Sequence, residues 1–146
     1  MIFIIFKYLI AKVGVNVQKG QNVVIFAEVD QSELVSYVME ECFKLGARDV
    51  CVEWSCSLTR KVAYKKEKVN DLAYIPDWVI EKQKYYNKTL PAFIYIDSDD
   101  PDGLKGINQK KMRDVHMKTY PILKPLRDER ENKYQSQALK QKEMHI

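Results

Sequence analysis

The stretch from Asn22 to Trp54 constrains the fold more than any other part of the sequence. It contains two short runs rich in β-branched residues, N-V-V-I-F-A at Asn22–Ala27 and D-V-C-V-E-W at Asp49–Trp54. Between them, apolar residues recur at helical spacing up to Gly46, namely Leu34, Val35, Val38, Cys42 and Leu45. A helix of this length between two strands is typical of a parallel crossover. We therefore predict an α/β fold with a mostly parallel sheet flanked by helices, in which the first strand is buried on both faces.

The remaining elements are predicted from the same signals. The Ile75–Pro76 step predicts a break in the helical pattern around it, because a residue before proline disfavours helix. The predicted elements are a helix over Ile2–Val13, two or three helices over Ser57–Lys88, a third strand over Leu90–Asp97, and a helix capped by Asn108 that runs to about Tyr120.

The length and composition favour a single core. A chain of 146 residues with 46% hydrophobic residues encloses one core of ordinary size, whereas two cores would each be marginal. We expect one α/β domain over residues 1–128. The stretch from Arg127 to Ile146 is rich in Lys, Arg, Glu and Gln, so residues 129–146 are expected to be a divergent polar tail, as a frayed helix or disordered.

Charge and hydropathy exclude several classes of protein. Lys and Arg number 24 against 20 Asp and Glu, and the two signs are interspersed, so the sequence gives no indication of nucleic-acid binding. No apolar stretch approaches the roughly 20 residues that cross a bilayer. Lys7 follows the apolar run Met1–Phe6 instead of preceding it, unlike a signal peptide. We expect a cytoplasmic protein that binds no membrane.

The three cysteines indicate a reducing compartment. Cys42, Cys51 and Cys56 are odd in number and none forms a C-x-x-C pair. Cys42 lies in a helical pattern and Cys51 in a strand pattern, where a thiol usually acts as a small buried hydrophobe. Cys56 lies at a turn between Ser55 and Ser57. Because G-x-S-x-G is absent, turn and helix-cap roles are predicted for these serines rather than nucleophilic catalysis.

The polar candidates for a metal site are weak. A loop after the third strand carries four carboxylates that can offer oxygen ligands to a hard cation, Asp97, Asp99, Asp100 and Asp102. The loop lacks the order of an EF-hand, and turn or capping chemistry explains such residues better. His116 and His145 have no H-E-x-x-H spacing. We predict no catalytic, cofactor-binding or metal-binding residue in this sequence.

A stretch of aromatic residues interleaved with lysines offers a different candidate. Its members are Tyr64, Tyr74, Trp78, Tyr85 and Tyr86. Such a composition suits base stacking or a protein interface. Helix packing with lysine stems lying over apolar surface accounts for most of these residues, and we expect that role.

Three segments in a fixed order point to a known family. They are K-V-G-V-N-V-Q-K-G-Q-N-V-V-I at Lys12–Ile25, L-G-A-R-D-V-C-V-E-W at Leu45–Trp54, and I-D-S-D-D-P-D-G-L-K-G-I at Ile96–Ile107. With I-P-D-W at Ile75–Trp78 and K-P-L-R-D at Lys124–Asp128, they spread over most of residues 7–128. In these motifs the chain resembles the thermophilic metalloaminopeptidases of the AmpS and PepS type.

The resemblance implies a protein of two domains, of which only the second binds metal. Members of that family are similar in having an amino-terminal α/β domain, followed by a carboxy-terminal domain that binds two divalent metal ions, zinc, cobalt or magnesium, through Glu, His and Asp. Those ligands lie downstream of every matched motif, so no residue here inherits a metal or catalytic role. The sequence also departs from the family after Asp128, where a further strand is expected. We therefore expect a truncated amino-terminal fragment of a metal-dependent aminopeptidase that is inactive alone.

Two alternatives remain open at this stage. The chain can act as a scaffold half that complements a separately encoded catalytic domain, or as a protein-binding module that uses its aromatic stretch. Its expected partners are peptides in the intact family, and a second copy in a homodimer or the complementing carboxy-terminal half.

Overall fold

The computed structural model describes residues 16–97 and 102–144, which contain three strands and five α-helices. The predicted helix over Ile2–Val13 lies outside them. In chain order the elements are β1 (Asn22–Glu28), a 3-10 turn (Val29–Gln31), α1 (Ser32–Lys44), β2 (Asp49–Ser55), α2 (Ser57–Lys66), α3 (Val69–Leu72), α4 (Asp77–Thr89), β3 (Ala92–Ile96) and α5 (Gln109–Met144). The predicted α/β fold with a parallel sheet and flanking helices is confirmed.

The chain divides into two compact units. The sheet unit contains the residues up to Thr59 together with residues 91–105. The helical unit contains residues 60–90 and the residues from Gly106 onward. Among the described helices, none is both long enough and apolar enough to cross a membrane.

The sheet unit is built around β1. The strand order is β2-β1-β3 with all pairings parallel, and the register sets Ile25 beside Val52 and Ile94. Side chains alternate between the two faces of a strand, so Val23, Ile25 and Ala27 share one face. That face joins the apolar side of α1 in one core cluster: Val17, Val23, Ile25, Ala27, Val35, Val38, Cys42, Val50, Ala92, Ile94 and Ile96.

Burial of β1 on both faces, as predicted, holds for its first half. Val24 points away from the face that carries Ile25, and it is also buried. Phe26 is half-buried, so the second half of the strand is covered on one face better than on the other. The ring of Phe26 stacks on that of Tyr95 at 4.9 Å between centroids and on that of Phe93 at 5.7 Å.

Gly46 ends α1 as predicted. Its φ of +92° lies in the left-handed region, and its N–H donates to the carbonyl of Phe43 at 2.9 Å while the N–H of Ala47 donates to that of Cys42 at 3.0 Å. This is the Schellman arrangement of a helix end. A Cβ added to Gly46 would lie 3.1 Å from Cγ of Lys19. Glycine therefore sets the turn from which β2 begins.

The helical unit contains the breaks and caps that the sequence indicates. Two short helices and one longer helix fill the region predicted to hold two or three, and Pro76 stands in extended conformation directly before α4. Asn108 caps α5 as predicted, because its Oδ1 accepts a hydrogen bond from the N–H of Lys111 at 3.0 Å. The Lys111 ammonium donates to the carbonyls of Tyr64 and Glu67 and so ties the end of α2 to α5.

The prediction that this last helix ends near Tyr120 is wrong. Helix α5 continues to Met144, with Pro121 and Pro125 inside it. Ion pairs four residues apart support the helix along its length, among them Lys110–Asp114 at 2.7 Å and Glu129–Lys133 at 2.7 Å. A proline removes only its own N–H and the contact with the carbonyl four residues earlier, so packing and ion pairs on the two sides can preserve one helix.

Candidate functional site

The carboxyl edge of the sheet is the place where open parallel sheets bind ligands, because the strands all end there. Glu28 ends β1 opposite Ser55, which ends β2. The Ser55 hydroxyl donates to Oε1 of Glu28 at 2.9 Å, and the backbone N–H of Ser57 donates to Oε2 at 3.0 Å. The carboxylate of Glu28 thus joins the ends of two strands to the first turn of α2. A negative charge at this end of a helix is favourable.

Cys56 lies between these two serines, directly before α2. Hydrogen bonds from the backbone N–H groups of Thr59 and Leu58 to its sulfur lower the pKa of the half-buried thiol. The carboxylate of Glu28 acts in the opposite direction. The Thr59 hydroxyl in turn donates to the carbonyl of Cys56 at 3.0 Å. These contacts stabilise the start of the helix through Cys56, and the turn and cap roles of Ser55 and Ser57 stay predictions.

Sequence reasoning did not single out Glu28. It missed this residue because its partners are 27 and 29 residues away, at Ser55 and Ser57. The available signal was a carboxylate at the end of a buried strand. Only the parallel register shows that a serine and a helix start lie opposite it.

The acidic loop after β3 is described in part. Asp97 is exposed at the end of the strand, and Asp102 is exposed with the Lys105 ammonium 3.4 Å from its Oδ1. Asp99 and Asp100 lie outside the described residues. Across residues 16–97 and 102–144, no group of three or more His, Cys, Asp or Glu side chains is close enough to hold a metal ion.

Of the two histidines, His116 lies in the part of the chain that the structure describes. His116 is exposed on α5, with its ring 5.2 Å from that of Tyr120. The guanidinium of Arg127 lies 5.8 Å from the same tyrosine ring. His116 therefore belongs to a surface ring contact. His145 lies outside the described residues.

The cysteines divide into three environments. Cys42 is fully buried in the core of the sheet unit, as predicted, and this burial raises its thiol pKa to about 11. The prediction that Cys51 is buried is wrong, because it is exposed. Cys51 pairs with Val24, so alternation along β2 places it on the face opposite Val50 and the core cluster.

The aromatic stretch is only partly explained by helix packing. Tyr86 is buried and Tyr64 is half-buried, in agreement with that role. Three other rings are not buried, with exposed fractions of 71% for Tyr74, 65% for Trp78 and 55% for Tyr85. The ammonium of Lys82 lies 5.5 Å from the Trp78 ring. Burial therefore accounts for two of the five rings and the contact with Lys82 for a third, while the role of the exposed Tyr74 and Tyr85 stays a prediction.

Comparison with known proteins settles the family. The model of the thermophilic metalloprotease (M29) family matches residues 6–138. The chain belongs to this M29 family. Its curated relatives include Aminopeptidase AmpS of Bacillus subtilis (strain 168), which is 35% identical over 104 residues, and Aminopeptidase PepS of Streptococcus thermophilus, which is 26% identical over 99 residues. These matches cover 71% and 68% of this chain, but only 25% and 24% of the relatives.

The chain therefore spans about a quarter of the length of these aminopeptidases. Among solved structures, wild-type AmpT from Thermus thermophilus matches with a TM-score of 0.76 at 20% identity. That match covers 87% of this chain and 32% of AmpT. At this identity the match shows the fold alone, and it agrees with the parallel sheet described above.

M29 proteins are metalloproteases, which makes the requirements of a metal centre relevant to the described residues. Such a centre needs several carboxylate, imidazole or thiolate ligands that converge on one point. At the carboxyl edge of the sheet, the Glu28 carboxylate already accepts two hydrogen bonds, from Ser55 and Ser57. No converging ligand set exists within the described part of the chain. These residues do not fit the metal centre of the family, and no catalytic step is assigned to them.

Proposed function

We propose that this chain is the amino-terminal scaffold part of an M29 aminopeptidase and that it does not hydrolyse peptides by itself. The observation that carries the proposal is the missing convergence of metal ligands among the described residues of a chain that belongs to a metalloprotease family. In this proposal residues 1–128 form the α/β domain and residues 129–146 form a divergent tail. No residue of the chain serves as a catalytic, cofactor-binding or metal-binding group.

In this proposal, peptide hydrolysis belongs to the part of the M29 relatives that this chain does not match. Two divalent ions, zinc, cobalt or magnesium, supply Lewis acidity for removing the amino-terminal residue of a peptide. Their ligands belong to the three-quarters of the relatives' length that this chain does not span. The part played by this chain is a fixed α/β framework that works in the cytoplasm. Peptides are the substrates of the intact enzyme.

The direct test is an assay of the purified chain with a leucine derivative that releases a chromogenic amine. Zinc, cobalt and magnesium are each added in turn, with intact AmpS of Bacillus subtilis as the positive control. We expect no turnover with any ion. Metal-dependent turnover by the chain would contradict the proposal, and the residues to substitute would then be Asp97, Asp99, Asp100, Asp102 and His116.

A second function is favoured by the match to AmpT over 87% of this chain. A domain that already has the family fold can complement a catalytic part supplied as a separate polypeptide. Mixing the chain with the carboxy-terminal three-quarters of AmpS tests this directly. Activity that appears only in the mixture supports complementation, while equal activity of the carboxy-terminal part with and without the chain excludes it.

A further inference from the structure

The carboxyl-terminal half of α5 is attached to α4 through polar groups that converge on one buried residue. Asn87 is only 2% exposed, and it is the one buried polar residue in the described part of the chain. Its Nδ2 donates to the backbone carbonyl of Leu126 at 2.8 Å and to Oε2 of Glu129 at 3.1 Å. Its backbone carbonyl accepts a hydrogen bond from the Lys133 ammonium at 3.1 Å. A single residue of α4 thus contacts two turns of α5.

A second layer of contacts surrounds this asparagine. Nη1 of Arg130 donates to Oε1 of Gln83 at 2.8 Å and to Oδ1 of Asn87 at 3.5 Å. The Lys133 ammonium also pairs with Glu129 at 2.7 Å. Within the described residues, no buried side-chain nitrogen or oxygen lacks a hydrogen-bond partner. The network is complete, and removing its centre leaves several of its groups without their partners.

Apolar burial does little to hold the same part of the helix. Val115 is buried in the first third of α5. After Val115, every described side chain of α5 is half-buried or exposed. An amphipathic helix normally docks through an apolar stripe. Leu123 and Leu126 are only half-buried in these later turns. The polar contacts with Asn87 and Gln83 therefore supply a large share of the attachment of these turns to α4.

Two prolines lie between the buried Val115 and the residues of α5 that make polar contacts with α4. Pro121 and Pro125 lie inside α5. Neither has an N–H group, so the carbonyls of Met117 and Pro121 lose their usual partners four residues later. Helices bend most readily at such positions. The weakest stretch of backbone in α5 therefore directly precedes the residues that contact Asn87.

From this arrangement we propose that α5 is a hinged arm, with its hinge at Pro121 and Pro125 and its latch at Asn87. When the latch opens, residues 126–144 leave α4 together, while the turns around Val115 stay in place. Proteins open locally in cooperative segments of this kind, and the least buried segments open first. The device is independent of the proposed function, because it depends only on contacts within the helical unit.

The test is hydrogen exchange of the whole 146-residue chain, measured by mass spectrometry on peptides. The variant is Asn87→Leu, which keeps the branching and the number of heavy atoms of the side chain and removes the amide. The matched control is Asn132→Leu, the same change at an exposed position on α5. In Asn87→Leu we expect the amides of residues 126–133 to exchange at least ten-fold faster, while those of β1 and β3 keep their rates. The control should leave all rates within two-fold.

Two outcomes of the Asn87→Leu experiment overturn the proposal. One is unchanged exchange of residues 126–133 in Asn87→Leu, and the other is an equal increase in the strands, which would make Asn87 a residue of global stability. If Asn87→Leu does not fold, Arg130→Met replaces it, because this variant removes only the contacts of Arg130 with Gln83 and Asn87. The exchange rates of the amides of residues 126–133 should then rise three-fold or more. Unchanged rates would contradict the role of these contacts as a latch. Replacing both prolines with alanine should slow the exchange of the amides of residues 126–133. Unchanged exchange rates would show that the prolines do not act as a hinge.

Discussion

The sheet unit and the helical unit are stabilised in different ways. The sheet unit has a continuous apolar core in which β1 is central and α1 covers one face. In the helical unit, the later turns of α5 are held by a buried asparagine, a glutamine and charged side chains. Apolar burial is a non-directional interaction, whereas a hydrogen bond needs a donor and an acceptor at the right distance and angle. The sheet unit should therefore tolerate conservative apolar changes, and the helical unit should open locally when one polar group is lost.

The largest effect is expected in the centre of the sheet. Ile25→Ala removes a fully buried side chain between β2 and β3, and it should lower the free energy of unfolding by about 2–5 kcal/mol. The control is Val62→Ala in the helical unit, where the side chain is 59% exposed. This variant should change the free energy of unfolding by less than about 0.5 kcal/mol. Urea unfolding measures both. Equal losses of unfolding free energy in the two variants would mean that the sheet unit does not depend on its apolar core more than the helical unit does.

A smaller effect is expected at the end of α1. Gly46→Ala forces a side chain into the left-handed region and against Lys19, and should cost about 1–3 kcal/mol. Gly20→Ala is the matched control, because its φ of +77° imposes the same kind of strain with open space around the new Cβ. Thermal unfolding of both variants separates strain from crowding. A loss at Gly20 as large as that at Gly46 would show that the contact with Lys19 is unimportant.

Alkaline pH should destabilise the sheet unit through Cys42. Burial raises the pKa of this thiol to about 11 in the folded protein, while an unfolded cysteine ionises near about 8.5. Between these values the unfolded chain loses the proton and the folded chain keeps it. This contribution to stability is therefore complete below pH 8.5 and falls by about 1 kcal/mol per pH unit above it.

Urea unfolding at pH 8 and pH 10 measures this loss, and Cys42→Ala is the control. The variant should be less stable at pH 8 but should lose less stability on going to pH 10. An identical loss in the two proteins would mean that other groups cause the alkaline sensitivity.

The smallest effect concerns the carboxyl edge of the sheet. Glu28→Gln removes the negative charge that opposes ionisation of Cys56, so the pKa of this thiol should fall below its already lowered value. The pH dependence of alkylation by iodoacetamide, followed by mass spectrometry of the peptide that contains Cys56, measures the shift. Ser36→Ala, on the exposed side of α1, is the control and should leave the curve in place. A curve for Glu28→Gln that moves to higher pH would contradict the proposed role of the charge.

Much of the sheet unit was predictable because its signals are local. The β-branched runs of β1 and β2, the helical spacing of α1 and the glycine at position 46 each act over a few residues, and each prediction is confirmed. The wrong prediction for Cys51 has a different cause. A strand pattern does not show which face of an edge strand is covered, and Cys51 lies on the face away from the core cluster.

The helical unit was less predictable because distant partners decide its structure. Composition predicted a frayed helix or disorder after Asp128, and in the structure the residues up to Met144 are helical. The contacts that hold its later turns reach back 39 to 47 residues, from Leu126, Glu129, Arg130 and Lys133 to α4. The same limit applies at the carboxyl edge of the sheet, where Glu28 meets partners that only the strand register reveals.

Local patterns and ordered motifs were enough to predict the secondary-structure order of the sheet unit, the parallel α/β class and the family resemblance. Three features became visible only in the folded chain: the role of Glu28 between β1, β2 and α2, the exposure of Cys51, and the attachment of α5 through Asn87. They share one cause. Each depends on which groups meet across a strand register or a helix–helix contact, and such meetings are fixed only when the chain is packed.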